Sequence, residues 1–144
     1  MSTITQPLQC KVLLVEDHPM FRERLAHLIN KDLGMTVCGE TDNITDAMGI
    51  ILAMKPDIAI VDISLRGSSG LELLKDIRAQ QIDLSVLVLS MHAEELYAER
   101  ALRAGAKGYI MKSEVSSEVI EAIHTVQRGD LAGGAPFTDE LEDL

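Results

Sequence analysis

The sequence has no tryptophan and only two phenylalanines and two tyrosines in 144 residues. Binding to single-stranded nucleic acid uses aromatic faces on which bases stack, and a flavin ring needs aromatics to sandwich it, so neither ligand is provided for. Basic residues are scarce as well. Thirteen Lys and Arg stand against 23 Asp and Glu, for a formal net charge of −10. They form no cluster of the kind that tracks a phosphate backbone, so direct nucleic-acid binding by this chain is not expected. No apolar run nears the roughly 18 residues of a membrane-spanning helix. Met1 to Gln9 lacks the basic-then-apolar pattern of a secretory signal, which makes a cytoplasmic location the expectation. Cys10 and Cys38 lie in apolar stretches without metal-type spacing, and two buried free thiols are expected rather than a disulfide.

What is present is ordinary globular composition, 47% hydrophobic and 25% charged, on a chain long enough for one domain and a tail. Five strand-length apolar runs alternate with helix-period segments: Lys11–Glu16, Met35–Glu40, Asp57–Asp62, Ser85–Ser90 and Lys107–Lys112. Three are nearly unbroken aliphatic (Val12 to Val15, Ile58 to Val61, Val86 to Leu89), the pattern of strands covered on both faces. Between them Phe21, Leu25, Leu28 and Ile29 share a helix face, as do Ala47, Ile50, Ile51 and Met54. Leu73, Leu74 and Ile77 form another, and Val115, Val119, Ala122, Ile123 and Val126 the last. The fourth helix, about Ala93–Ala104, has the weakest stripe. It either lies on the surface or is built to move. Five βα units imply a doubly wound α/β fold around a five-stranded parallel sheet with right-handed crossovers. The domain is expected over residues 9–129. Gly133-Gly134-Ala135-Pro136 reads as linker, and 130–144 carries five acids and no base, an acidic linker or tail.

Ligands of open parallel sheets bind beyond the carboxyl ends of the strands. Here strand one ends in Glu16-Asp17, strand three in Asp62, strand four in Ser90 and strand five in Lys112. Three carboxylates gathered at one rim repel one another and need a cation to offset them. Oxygen ligands of this type suit Mg²⁺, often together with a phosphate. A carboxylate can attack phosphorus to give an acyl phosphate, with a metal and an ammonium neutralising the transferred group.

These residues, with their neighbours, resemble the receiver domain of two-component response regulators over about Gln9 to Gly129. The matching text is Glu16-Asp17-His18-Pro19 after strand one and Asp62-Ile63-Ser64-Leu65 after strand three. Ser90-Met91-His92 follows strand four, and Gly105-Ala106-Lys107-Gly108-Tyr109 leads to Lys112 at strand five. Asp17-His18-Pro19, Ser69-Gly70-Leu71-Glu72 and the Gly-Tyr before the lysine are most similar to the NarL/FixJ-type subfamily. The resemblance implies a flavodoxin-like (βα)5 fold with strand order 2-1-3-4-5. It implies a signalling switch rather than an enzyme, with Asp62 as phosphoacceptor and Lys112 paired to it. Mg²⁺ would be held by Asp17, Glu16, Asp62 and the backbone carbonyl of Ser64. Ser90 would be the switch hydroxyl and Tyr109 the aromatic that follows it.

The implied partners are a sensor histidine kinase or phosphotransfer protein, an effector or DNA-binding domain outside this chain, and a second copy in a phosphorylation-dependent homodimer. Self-phosphorylation from small donors and autodephosphorylation by water are also implied. Two positions depart from the family pattern: Arg66 stands where a proline is usual, and Ser113 follows Lys112 where many receivers have proline. Simpler readings remain at several positions. Ser90 can cap a helix, His18 fits a helix start, and His92 suits a solvated histidine. The rival for the whole chain is a pseudo-receiver, an interaction module that takes no phosphoryl group. An aspartyl-phosphate phosphatase would want an acid at position 64, where Ser64 stands.

Overall fold

The computed structural model describes residues 9–65, 67–91 and 95–129. Its strands are β1 (Cys10–Val15), β2 (Met35–Thr41), β3 (Ile58–Asp62), β4 (Ser85–Ser90) and β5 (Gly108–Met111). The helices are α1 (Pro19–Asn30), α2 (Ile44–Met54), α3 (Gly70–Ala79), α4 (Glu95–Arg103) and α5 (Val115–Gln127). All five strands are parallel, in the order β2-β1-β3-β4-β5. This is the doubly wound (βα)5 arrangement expected, with strand ends within a residue of the sequence reading. The connections reverse direction between β1 and β3, so the switch point falls there.

The aliphatic runs are continuous because each strand feeds two cores. Val12, Leu14, Ile58, Ile60, Leu87, Leu89 and Ile110 pack with Leu25 and Ile29 of α1 and Val119 and Ile123 of α5. Their alternates Leu13, Val15, Ala59, Val61, Val86 and Val88 pack with Ala47 and Ile51 of α2, Leu73, Leu74 and Ile77 of α3 and Ala101 of α4. The period-two alternation of side chains thereby assigns every strand position to the α1/α5 layer or the α2/α3/α4 layer.

Local chemistry sets the helix ends. Pro19 occupies the first turn of α1, where its missing N–H costs nothing. Asn43 caps α2 by accepting the Asp46 N–H at 2.8 Å, and Ser69 caps α3 by accepting from Leu71 at 3.1 Å. Helix α4 is anchored by Ala98, Ala101 and the partly buried Leu102, while Leu96 is exposed, which is the physical origin of its faint stripe. Three features had no counterpart in the sequence reading. A two-residue antiparallel ladder joins Ser64–Leu65 to Ser68–Ser69. A 3₁₀ turn spans Lys112–Glu114. A bulge in β2 leaves Cys38 unpaired between Val37, opposite Val12, and Gly39, opposite Leu13.

Both cysteines are free, but only Cys10 is buried; Cys38 is half-buried at the bulge. Burial, then the Asp57 and Cys38 charges, push the Cys10 thiol up to about 11. No helix among the described residues is long and apolar enough to cross a membrane. The tail 130–144, Arg66 and His92 lie outside the described residues, as does the expected start of the fourth helix at Ala93 and Glu94.

Candidate functional site

Glu16, Asp62 and Lys112 follow or end β1, β3 and β5 at positions in step with Leu14, Ile60 and Ile110, so alternation turns all three toward the α1/α5 layer. The Lys112 ammonium sits between the two carboxylates, with Nζ 2.9 Å from Asp62 Oδ2 and 3.1 Å from Glu16 Oε1. Glu16 and Asp62 are buried, and the lysine side chain is 14% exposed. From below, the ammonium lies 5.0 Å from the centre of the Phe21 ring of α1, a cation–π distance.

The remaining lone pairs are partly used. Asp62 Oδ1 accepts the Ser64 N–H at 3.0 Å, which ties the Ser64 peptide beside the carboxylate. Glu16 Oε2 accepts the His18 N–H at 3.0 Å. Glu16 Oε1 is buried and accepts no hydrogen bond among the described groups, although the ammonium attracts it. Burial, and next the Asp62 charge, raise the Glu16 pKa above the usual carboxylate value against the His18 and Lys112 contacts. For Lys112, burial works to lower the pKa, but the hydrogen bonds and charges of Asp62 and Glu16 outweigh it and the net shift is upward.

Asp17 is half-buried beside Glu16, and ligand atoms of Glu16, Asp17 and His18 lie within 4.8 Å of one another. His18 is the N-cap residue of α1, as expected of a helix-start residue, and its side chain makes no cap hydrogen bond. Arg22, one turn into α1, donates from Nη1 to the Glu16 carbonyl oxygen at 2.6 Å.

Ser90 is buried at the end of β4. It is in step with Val88, which pairs with Tyr109 of β5, so Ser90 and Tyr109 belong to the opposite layer, toward α3 and α4. Tyr109 is half-buried there. The sequence-derived set is thus brought to one end of the sheet but divided by it, with Glu16, Asp62 and Lys112 on one side and Ser90 and Tyr109 on the other.

One close approach fixes the geometry beneath Asp62. A Cβ on Gly70 would stand 2.6 Å from the Asp62 carbonyl oxygen and 2.9 Å from Val61 Cγ1. Only glycine lets α3 begin this near β3. The Gly70 N–H and the Ser69 hydroxyl both donate to the Ile63 carbonyl, at 3.0 and 3.2 Å. The sequence pattern places Gly70 only within a motif and Phe21 only on an apolar helix face, with no site role for either, and it does not single out Arg22. Phe21 was legible as an apolar helix position. Arg22 gave no signal, because its contact with the Glu16 segment is to a backbone carbonyl.

The model of the response regulator receiver domain matches residues 12–124. The chain belongs to the response regulator receiver family. The receiver is similar to the nitrate/nitrite response regulator protein homolog of Haemophilus influenzae, 31% identical over 93% of this chain and 62% of that protein. It is also similar to the DNA-binding transcriptional activator DevR/DosR of Mycobacterium tuberculosis, 34% identical over 83% of this chain and 55% of that one. The receiver therefore spans little more than half the length of these relatives. Among solved structures it is similar to a LuxR-family two-component response regulator from Aurantimonas sp., with a TM-score of 0.83 and 30% identity over 94% of this chain and 96% of that one. The receiver is a signalling domain rather than a classical enzyme, of the type found in NarL- and LuxR-type transcriptional regulators. Receiver domains bind Mg²⁺ at an acidic pocket, and Glu16, Asp17 and His18 form a candidate cluster here.

Proposed function

We propose that the receiver is a phosphorylation-controlled switch in which Asp62 accepts a phosphoryl group from the phosphohistidine of a sensor kinase or phosphotransfer protein. An Asp62 carboxylate oxygen bonds to phosphorus, the phosphorus–nitrogen bond breaks, and the imidazole leaves. The observation that carries this reading is the Lys112 ammonium 2.9 Å from Asp62 Oδ2 at the β1/β3 switch point. It supplies a fixed positive charge where the phosphoryl oxygens would arrive.

The donor set fits Mg²⁺. It is rich in carboxylate oxygen, and the buried Glu16 Oε1, 3.1 Å from the Lys112 ammonium, accepts no hydrogen bond among the described groups. Asp17, Glu16, Asp62 and the Ser64 carbonyl would hold the ion, which when bound neutralises charge on the phosphoryl group. Water then hydrolyses the acyl phosphate, giving inorganic phosphate and the free Asp62 carboxylate, to reset the switch. Ser90 and Tyr109, sharing the layer toward α4, read the phosphoryl group out. Phosphorylation shifts the population of two packings of α4. The same reading takes 9–129 as the receiver unit and 130–144 as an acidic linker toward a DNA-binding effector, in a cytoplasmic transcriptional regulator.

The test is intact mass after incubation with acetyl phosphate, with and without Mg²⁺, for the native chain and Asp62→Asn. The expected result is one phosphoryl group gained, needing both Mg²⁺ and Asp62. No gain from acetyl phosphate together with no binding of beryllofluoride would overturn the reading in favour of a pseudo-receiver.

A further inference from the structure

We infer that Arg22 is a positioning residue that sets the Mg²⁺ affinity of the acidic pocket by locking the Glu16 peptide; this rests on the metal-dependent switch proposed above. A residue's placement is governed by two soft dihedrals. At Glu16 both are pinned. On its amino side the N–H donates to the Thr41 carbonyl of β2 at 2.9 Å. On its carboxyl side the carbonyl accepts from Arg22 Nη1 at 2.6 Å. The peptide so held is the one that leads into Asp17, the second of the two carboxylates that follow β1 and one of the expected ligands. If the carbonyl swings, Asp17 swings with it.

Arg22 is itself held. Its Nε lies 3.5 Å from Glu40 Oε1, and its side chain is only 23% exposed. One guanidinium thus joins α1, the end of β1 and the edge strand β2. Its planar fork can serve two acceptors at once, which a lysine cannot do. Arg22 touches no carboxylate of the pocket in these contacts, so its effect on the ion is through backbone geometry. Its pairing with Glu40 also leaves little net charge to act across the pocket. Residues that orient ligands typically change metal affinity by tenfold or more when removed.

The experiment is a calorimetric Mg²⁺ titration of the full chain, alongside the Mg²⁺ dependence of phosphoryl uptake from acetyl phosphate. The variants are Arg22→Lys, Arg22→Met and the charge-balanced double substitution Arg22→Met with Glu40→Gln. The expected result is a Kd for Mg²⁺ raised about tenfold in Arg22→Met and in the double variant, with a partial return in Arg22→Lys. Half-maximal uptake should move to higher Mg²⁺ by the same factor, while the rate at saturating Mg²⁺ changes less than about twofold, the split a metal-affinity effect requires.

A lower melting temperature with an unchanged Kd would make Arg22 a cross-link only and overturn the inference. So would a native Kd in the double variant, because that variant also lacks the guanidinium that holds the Glu16 peptide. Absence of Mg²⁺ binding by the native chain would remove the underlying reading as well, so the two failures are distinguishable.

Discussion

Lys112 is the residue on which the electrostatics of the site turn. Its ammonium is the cation placed within 3.2 Å of both Glu16 and Asp62. Removing one partner of such a buried group leaves uncompensated charge, at a cost of about 3 kcal/mol. Lys112→Met should therefore lower the urea-unfolding free energy by about that amount, and added Mg²⁺ should restore part of it. The loss should also depend on pH. The folded Glu16 pKa lies above its unfolded value, so the folded state holds that proton longer. The resulting contribution favours the fold at low pH and fades as pH rises through the folded pKa. Without the ammonium the Glu16 pKa rises further, so the deficit relative to the native chain should be smaller at pH 5 than at pH 8. An equal deficit at both would mean that Glu16 stays charged regardless of Lys112.

At the scale of elements, α3 is held against β3 at Gly70. Its neighbours at 2.6 and 2.9 Å include the Asp62 backbone, which cannot step aside as a flexible side chain would. Gly70→Ala should cost about 1–3 kcal/mol of stability. Because the displaced atom belongs to Asp62, phosphoryl uptake by the folded protein should slow as well; a stability loss with native uptake would show that α3 moves instead of β3. The elements were legible to different degrees. The aliphatic runs announced β1, β3 and β4, since burial on both faces removes any need for polar alternation. The strand ends then located Glu16, Asp17, Asp62, Ser90 and Lys112. The Ser64–Leu65 ladder was not legible, because two residues carry no periodicity. Nor was the Cys38 bulge, which depends on register against β1 rather than on composition. Arg22 was hidden for a related reason: its role lies in one backbone contact, and a charged residue in the first turns of a surface helix otherwise signals nothing.

For the whole molecule, the consequence of modification is expected in association. The α4 helix, with Leu96 exposed on it and Met91 exposed just before its segment, would present a changed surface after Ser90 and Tyr109 move. Light scattering should show a monomer without beryllofluoride and Mg²⁺ and a dimer with them, and Asp62→Asn should remain monomeric. A monomer under both conditions would mean that this domain signals through an effector alone. The sheet itself gives this behaviour an asymmetric layout. Its alternation assigns Glu16, Asp62 and Lys112 to one layer and Ser90 and Tyr109 to the other. In the switch proposed above, a message written at the α1 side would be read at the α4 side, across a partition one strand thick.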